Sequence, residues 1–493
     1  MTRPALVAID LGAESCRVSL LRWTAGSSGA PENPAVSIVH RFANAPWSPD
    51  ASDPHASGVR WNLDRMCQEL DRGLRACAEK APEGIASIGV TGWAVDYVRL
   101  DEAGRPIAPP FCYRDPRTNA AFEAVHRIIP ADQLYARTGV QIQPINTIYQ
   151  LYADKLAGVS VSTPWINLPE SILHWLGAPR VAEITNATHT ALIDPVTRSW
   201  SDDLFAALGL DRSAAPPLVQ PGTALGLIRP DLRSLPALAQ TQLIAPACHD
   251  TASAIAGIAV AGSAPWAYIS SGTWSLIGMV LPEPCRTPEA YAAGFTHLGA
   301  ADGGILFHRG LAGMWLLRQC LVYWEDHRGW SLPELIAETR CLPPPDALLD
   351  LDDPAFLPPG DMPARINAQR RRHGLPPLSD GCDAAPDYAN LIFHSLAHRY
   401  ASLLDDIARI TGHRAERICI VGGGSRNDYL NDLTAQAAKI PVERHAVESS
   451  TLGNFAVQLA RLHSLSGSQT TDGVSALAVA EQAHRLANAS LPS

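Results

Sequence analysis

Leu6-Val7-Ala8-Ile9-Asp10-Leu11-Gly12-Ala13-Glu14-Ser15-Cys16-Arg17 is the stretch on which the fold turns. Leu6 to Ile9 is a short apolar run that reads as a strand. The small and hydroxyl residues after Asp10 read as a loop whose backbone N–H groups and hydroxyls can form an anion-binding concavity. About 260 residues later, Ile269-Ser270-Ser271-Gly272-Thr273-Trp274-Ser275 repeats the order of β-run, small and hydroxyl residues, β-run. His249-Asp250-Thr251 stands just before this second loop. Two such loops, one per half, suggest two lobes holding a polyphosphate between them, and hence phosphoryl transfer.

The chain of 493 residues is too long for one core and fits two domains. Its 46% hydrophobic and 18% charged residues describe an ordinary globular protein. A net charge of -10 argues against nonspecific nucleic-acid binding, which needs a basic face. Lysine occurs only at Lys80, Lys155 and Lys439, so arginine carries nearly all positive charge. The ten cysteines form no CxxC or CxxH, which predicts no zinc site. Asp10 interrupts the N-terminal apolar run short of a signal-peptide core. The weakly polar stretch Thr251–Ser271 contains Pro265 and is no membrane span. The cytoplasm is the expected compartment.

Strand signals at Leu6–Ile9, Val18–Trp23 and Val36–Phe42, with a hairpin turn over Ala25–Pro34, precede a helix capped by Asn62 or Asp64 and running to Lys80. Ala86–Thr91 and Val95–Leu100 read as further strands, giving a mixed sheet rather than a plain Rossmann unit. Residues 116–240 read as mostly helical. The order restarts near Ala261–Pro265, with strands at Trp266–Ile269 and Leu276–Val280 and helices at Leu311–Tyr323 and Tyr388–Ile410. A strand Arg417–Val421, the turn Gly422-Gly423-Gly424 and a helix Asn427–Lys439 follow. Residues 341–379, rich in Pro and Arg, read as an irregular insertion.

Among the chemical candidates, the N–H groups of Gly12 to Ser15 can face phosphate oxygens, with Arg17 or a metal balancing charge. Asp10 would then hold Mg²⁺ or its water shell, the alternative being an ordinary hairpin with an exposed acid. No GxxxxGK[ST] occurs, which excludes a P-loop. Asp250 is either a plain helix N-cap or the carboxylate that accepts the proton of an attacking hydroxyl. The Gly422–Gly424 triplet is either a tight strand-to-helix turn or a place where adenine or ribose meets bare backbone. Trp93 fits a core position, or a cleft floor on which a sugar stacks. The basic run Arg370–His373 reads as solvated surface.

Together these motifs resemble the FGGY carbohydrate kinases, and within them the rhamnulokinases, over essentially the whole chain. The resemblance rests on Val7–Ala13, Tyr113–Asn119, Gln143–Leu151, His249–Ala254, Ser270–Ser275, Phe356–Pro363 and Val421–Asn427. It implies an α/β fold of two ribonuclease-H-like lobes of the actin/hexokinase superfamily with a cleft between them. The N-terminal lobe, 1–258, would bind sugar and carry the first phosphate loop; the C-terminal lobe, 259–493, would bind nucleotide and carry the second. The implied reaction is ATP- and Mg²⁺-dependent phosphorylation of a ketose, L-rhamnulose at its 1-hydroxyl first. L-fuculose or a pentulose is the alternative, and a non-enzymatic actin-like switch or sugar sensor is more distant.

By motif position, Asp250 is the base, and Trp93, Ala94, His249 and Thr251 contact sugar. Ala13, Glu14, Ser15, Cys16, Arg17, Gly272, Thr273, Arg318, Gly423 and Gly424 meet ATP, and Asp10 serves the metal. The expected partners are a small-molecule ketose and ATP, with a homodimer left open and neither nucleic acid nor membrane. Departures from the rhamnulokinase pattern fall at Thr91-Gly92-Trp93-Ala94, Thr296-His297-Leu298-Gly299-Ala300, Arg309-Gly310, Arg318 and Cys16. Losing an amide that bonds a sugar hydroxyl changes specificity strongly, so these departures bear on which sugar is taken.

Overall fold

A computed structural model describes residues 3–24, 33–48, 58–260, 262, 264–325, 329–466 and 473–487. Packing divides the chain into two units. The first comprises Met1–Val260, Leu281–Leu306 and Ser449–Ser493, and the second Ala261–Val280 and Phe307–Glu448.

The first unit is built on a sheet of β1 (Ala5–Leu11), β2 (Ser15–Thr24), β3 (Asn33–Ala43), β4 (Ile85–Gly92), β5 (Thr223–Leu227) and β6 (Gln242–Ala245), in the order β5-β6-β4-β1-β2-β3. β1 pairs antiparallel with β2 and parallel with β4, and all seven of its residues are buried. Pairing on both edges and covering on both faces explain its near-continuous apolar sequence. The sheet is mixed, as the strand signals require. Most of the hairpin turn expected over Ala25–Pro34 lies outside the described residues; Asn33 and Pro34 belong to β3.

The helix Leu63–Lys80 starts where Asn62 accepts a bond from the Arg65 N–H at 3.0 Å. Its apolar stripe of Leu63, Met66, Leu70, Leu74 and Cys77 is buried, as its 3.6-residue spacing predicts. The strand expected over Val95–Leu100 is shorter, Tyr97–Arg99, and pairs with Trp165–Asn167 rather than joining the sheet. Val95 falls outside the strand because it takes φ 71, a left-handed conformation costly for a β-branched residue. Thr147 Oγ1 and Gln150 Nε2 donate to its carbonyl at 2.7 and 3.2 Å and hold it there.

Two helices far apart in sequence complete this unit, meeting near the carboxyl end of β1. Asp250–Ala256 follows β6, and Ser449–Ser466 returns from near the end of the chain. A methyl group at Gly453 would lie 1.7 Å from the Ser253 carbonyl oxygen, and one at Gly257 would lie 2.5 Å from that of Ser449. Only glycine allows the two helices to touch this closely. Ser253 Oγ donates to the Ser450 carbonyl at 2.8 Å across the contact. Farther along, Gln458 donates to the Val7 carbonyl at 3.0 Å and accepts from Ser87 Oγ at 2.6 Å, locking the returning helix onto β1 and β4.

In the second unit β7 (Trp266–Ser271), β8 (Trp274–Leu281), β9 (Ile305–Ala312), β10 (Arg417–Val421) and β11 (Val442–Arg444) lie side by side in the order β9-β8-β7-β10-β11. β7 pairs antiparallel with β8 and parallel with β10, the arrangement of β1. The helix expected from Leu311 begins at Trp315, because β9 runs to Ala312. The helices Ala385–Thr411 and Asp428–Ala438 match their expected spans within three residues, the second capped by Asn427 on the Leu430 N–H at 3.0 Å.

Two expectations are corrected here. Residues 341–379 are not wholly irregular, since Met362–Arg372 forms a helix capped by Asp361 on the Ala364 N–H at 2.9 Å. Within the basic run, Arg371, Arg372 and His373 are exposed but Arg370 is only 5% exposed. Asp346 at 3.1 Å and the Pro376 carbonyl at 2.9 Å satisfy its guanidinium inside the fold.

Candidate active site

β1 ends by placing Asp10 in the interior. Its carboxylate accepts from Ser450 Oγ at 2.9 Å and Thr91 Oγ1 at 3.5 Å, and Arg17 Nη1 lies 3.9 Å away. Burial raises the Asp10 pKa above the usual carboxylate range; Arg17 opposes that shift, and the negative charge of Asp250 adds to it. The two acids therefore sense one another.

Asp250 stands where β6 passes into the helix Asp250–Ala256, and the Gly92 N–H bonds the Cys248 carbonyl at 2.9 Å to bring this turn beside β4. The helix's N-cap position is His249, so Asp250 is not the simple cap its sequence suggests. Its Oδ1 accepts from the Thr251 N–H at 2.6 Å, from Thr251 Oγ1 at 3.2 Å, and faces His249 Nε2 at 3.2 Å. The other nitrogen of His249 lies 3.1 Å from His189 Nε2. Burial drives the His249 pKa down to about 3, so the ring is neutral and can relay one orientation from His189 to Asp250. Asp250 is pushed up to about 6 by burial, although its side chain keeps 38% exposure.

Beneath this turn lie Glu170 and Glu183, both fully buried. Glu183 accepts from the Cys248 and Thr185 N–H groups at 2.8 and 2.9 Å and from the Thr185 hydroxyl. Glu170 accepts from the Glu183 N–H at 3.0 Å and from Asn186 at 2.7 Å. Burial raises both carboxyl pKa values. These acids, His189 and Ser450 escaped the sequence reading, since no local motif marks them and only tertiary folding brings them to Asp250 and Asp10.

Trp93 and Ala94 are 8% and 7% exposed. The indole N–H groups of Trp93 and Trp61 both donate to Asp96 Oδ2, at 2.9 and 2.6 Å, and Gln150 donates to Oδ1 at 3.1 Å. In the first loop Ala13, Ser15 and Arg17 are half-buried and Glu14 is exposed. Cys16 points inward, its thiol 3.7 Å from the Gly12 carbonyl and pushed up to about 12 by burial.

In the second unit the Gly272 and Thr273 carbonyls accept from the Met314 and Trp315 N–H groups at 3.3 and 3.0 Å. These bonds tie the β7–β8 turn to the helix that carries the exposed Arg318. A methyl group at Gly424 would lie 2.0 Å from Ser271 Oγ, Gly422 has φ 81, and Gly423 has open space around it. The bare backbone of the triplet thus meets this unit's own Ser271, with Gly423 left accessible. His297, which belongs to the first unit, is internal, donating to the Gly139 carbonyl at 2.8 Å and accepting from the Cys285 N–H at 2.9 Å. Arg309 pairs with Asp352 at 2.7 Å. A cavity of about 820 Å³ lined by Leu63, Asp71, His174, Trp175 and Arg229, among others, includes none of the predicted site residues.

Residues 6–257 match the N-terminal domain of the FGGY family of carbohydrate kinases, and residues 267–462 match its C-terminal domain. The chain belongs to this family of phosphotransferases, which places it among the ATP-dependent sugar kinases with an actin/hexokinase-like two-domain fold. It is similar to ligand-bound xylulose kinase from Lactobacillus acidophilus, at TM-score 0.74 and 14% identity over 97% of this chain and 91% of that one. Gluconate kinase from the same organism gives 0.73 and 15%, over 97% and 91% of the two chains. Glycerol kinase from Plasmodium falciparum with ADP gives 0.72 and 13%, over 99% and 94%. At these identities the likeness is one of fold. Among the described residues no helix is long and apolar enough to cross a membrane.

Proposed function

We propose that this kinase phosphorylates the primary hydroxyl of a ketose in the cytoplasm, L-rhamnulose first. The observation that carries the reading is Asp250: a partly exposed carboxylate, 3.2 Å from a neutral histidine, among groups that are otherwise buried. In the proposed mechanism Asp250 accepts the sugar hydroxyl proton as the oxygen attacks the γ-phosphate. His249, fixed by His189, holds the carboxylate in one orientation. Thr251, Trp93 and Ala94 contribute to sugar binding within the segment 1–258.

The N–H groups of residues 13–17 and the Arg17 charge face phosphate. From the segment 259–493, Gly272 and Thr273 supply the second phosphate contact, Gly423 and Gly424 the nucleoside contact, and Arg318 a charge near ATP. A hard divalent cation fits Asp10, a buried carboxylate whose pKa is raised by burial and also by the charge of Asp250. Asp10 would hold Mg²⁺ there, which would supply neutralisation of phosphate charge.

A pentulose is the second reading, suggested by the xylulose kinases among the structural neighbours. A panel of L-rhamnulose, L-fuculose, xylulose and ribulose, read by ADP release, decides. The first reading expects the highest kcat/KM on L-rhamnulose; a higher value on a pentulose replaces it with the second. No sugar-stimulated ADP release on any of them removes both.

A further inference from the structure

Away from the phosphate loops, β10 and β11 pair in parallel with Cys419 opposite Glu443. Strand side chains alternate between faces, so His445, two residues past Glu443, lies on the same face as these two. The His445 N–H bonds the Ile420 carbonyl at 2.9 Å and keeps the residue in the ladder. One donor atom of each side chain, a sulfur, a carboxylate oxygen and an imidazole nitrogen, lies within 4.8 Å of the other two. Glu443 Oε2 and His445 Nε2 are 3.8 Å apart.

We infer that Cys419, Glu443 and His445 form a binding site for a thiophilic divalent metal ion, zinc in the first instance. Tetrahedral zinc at about 2.0–2.3 Å from its ligands sets them roughly 3.3–3.7 Å apart, so the Glu443–His445 pair is already near that spacing and any pair as far apart as 4.8 Å needs to close by about 1 Å. Glu443, with 42% of its side chain exposed, can supply that movement and opens the site to solvent, while Cys419 is buried and His445 is 16% exposed. The fourth position falls to water. A sulfur, nitrogen and oxygen set does not suit Mg²⁺, which demands oxygen, so this site is separate from Asp10. Arg417, on the same face, lies 3.4 Å from Glu443 Oε1 and competes with the metal for that carboxylate. Cys419 and Glu443 are 24 residues apart on adjacent strands, which is why the absence of CxxC spacing predicted no zinc site.

The test is a Co²⁺ titration of the full-length protein in millimolar Mg²⁺, read by absorbance. One equivalent is expected to give a thiolate-to-cobalt charge-transfer band and tetrahedral d–d bands, and Zn²⁺ to bleach both. Cys419→Ser should abolish the charge-transfer band and His445→Ala should weaken binding more than about 100-fold, beyond the usual loss from a supporting residue. Arg417→Gln should tighten it. Cys341→Ser, at an exposed cysteine, should change nothing. No band at one equivalent, displacement by Mg²⁺, a band that survives Cys419→Ser, or one lost with Cys341→Ser overturns the site. If Cys419→Ser fails to fold, His445→Ala decides: unchanged affinity rejects the site.

Discussion

The β1–β2 hairpin of the first unit and the β7–β8 hairpin of the second share a backbone plan and differ in charge. Each central strand has one antiparallel and one parallel neighbour. At the end of the first, Asp10 sits opposite Arg17; at the end of the second, Ser271 sits opposite Ser275. Asp10 is buried with an upward-shifted pKa, and Asp250 lies close enough to influence it. Ser275 bonds the Tyr400 hydroxyl at 2.7 Å, and Ser271 packs on Gly424. On the proposed reading one scaffold would serve two purposes, the first hairpin carrying the acid that would hold a cation and the second a neutral phosphate contact.

The sharpest way to break this comparison is Asp250→Asn. Turnover should fall about 10²–10⁴-fold, the range a positioned general base supplies, with nucleotide affinity unchanged. Normal turnover in steady-state assays would remove the chemistry from the first unit. Next in size is Asp10→Asn, expected to cost on the order of 10²-fold in kcat, the scale of losing one preorganised electrostatic group. Because burial disfavours the charged form of Asp10, the same variant should melt no lower than the parent. A lowered melting temperature would show that the carboxylate is structural.

Gly424→Ala tests the neutral hairpin. Its methyl group must displace Ser271, so we expect about 1–3 kcal/mol of destabilisation by denaturant titration and a raised KM for ATP. Gly423→Ala, with open space around it, should leave stability nearly unchanged. The smallest effect is the pH dependence. Asp250 must be ionised to act, so kcat/KM should rise with pH up to about 6 and level above it. A flat profile across that window would dissociate Asp250 from proton transfer.

The parts of the molecule that were legible in advance are those whose physics is local. The apolar run of β1, the Asn62 cap with its helical stripe, and the Asn427 cap each announce themselves within a few residues. The family resemblance added the two-domain fold. Illegible were contacts made across the chain: Ser450 on Asp10, His189 on His249, and the buried acids Glu170 and Glu183. Val95 escaped because its backbone conformation contradicts the preference of its side chain, and Arg370 because burial of an arginine depends on partners that a basic run does not display.

The returning helix Ser449–Ser466 has a consequence for biosynthesis. The groups that complete β1 are translated very late: Ser450 lies 440 residues after Asp10, and Gln458 lies 451 residues after Val7. At roughly 5–20 residues per second, a ribosome takes about 20–90 s to cover that interval. Once β6 has been made, the nascent first unit has all six strands of its sheet but still lacks the helix that packs on β1 and β4. Completion of this unit is therefore tied to the emergence of residues 449–466 rather than to that of its own first 260 residues.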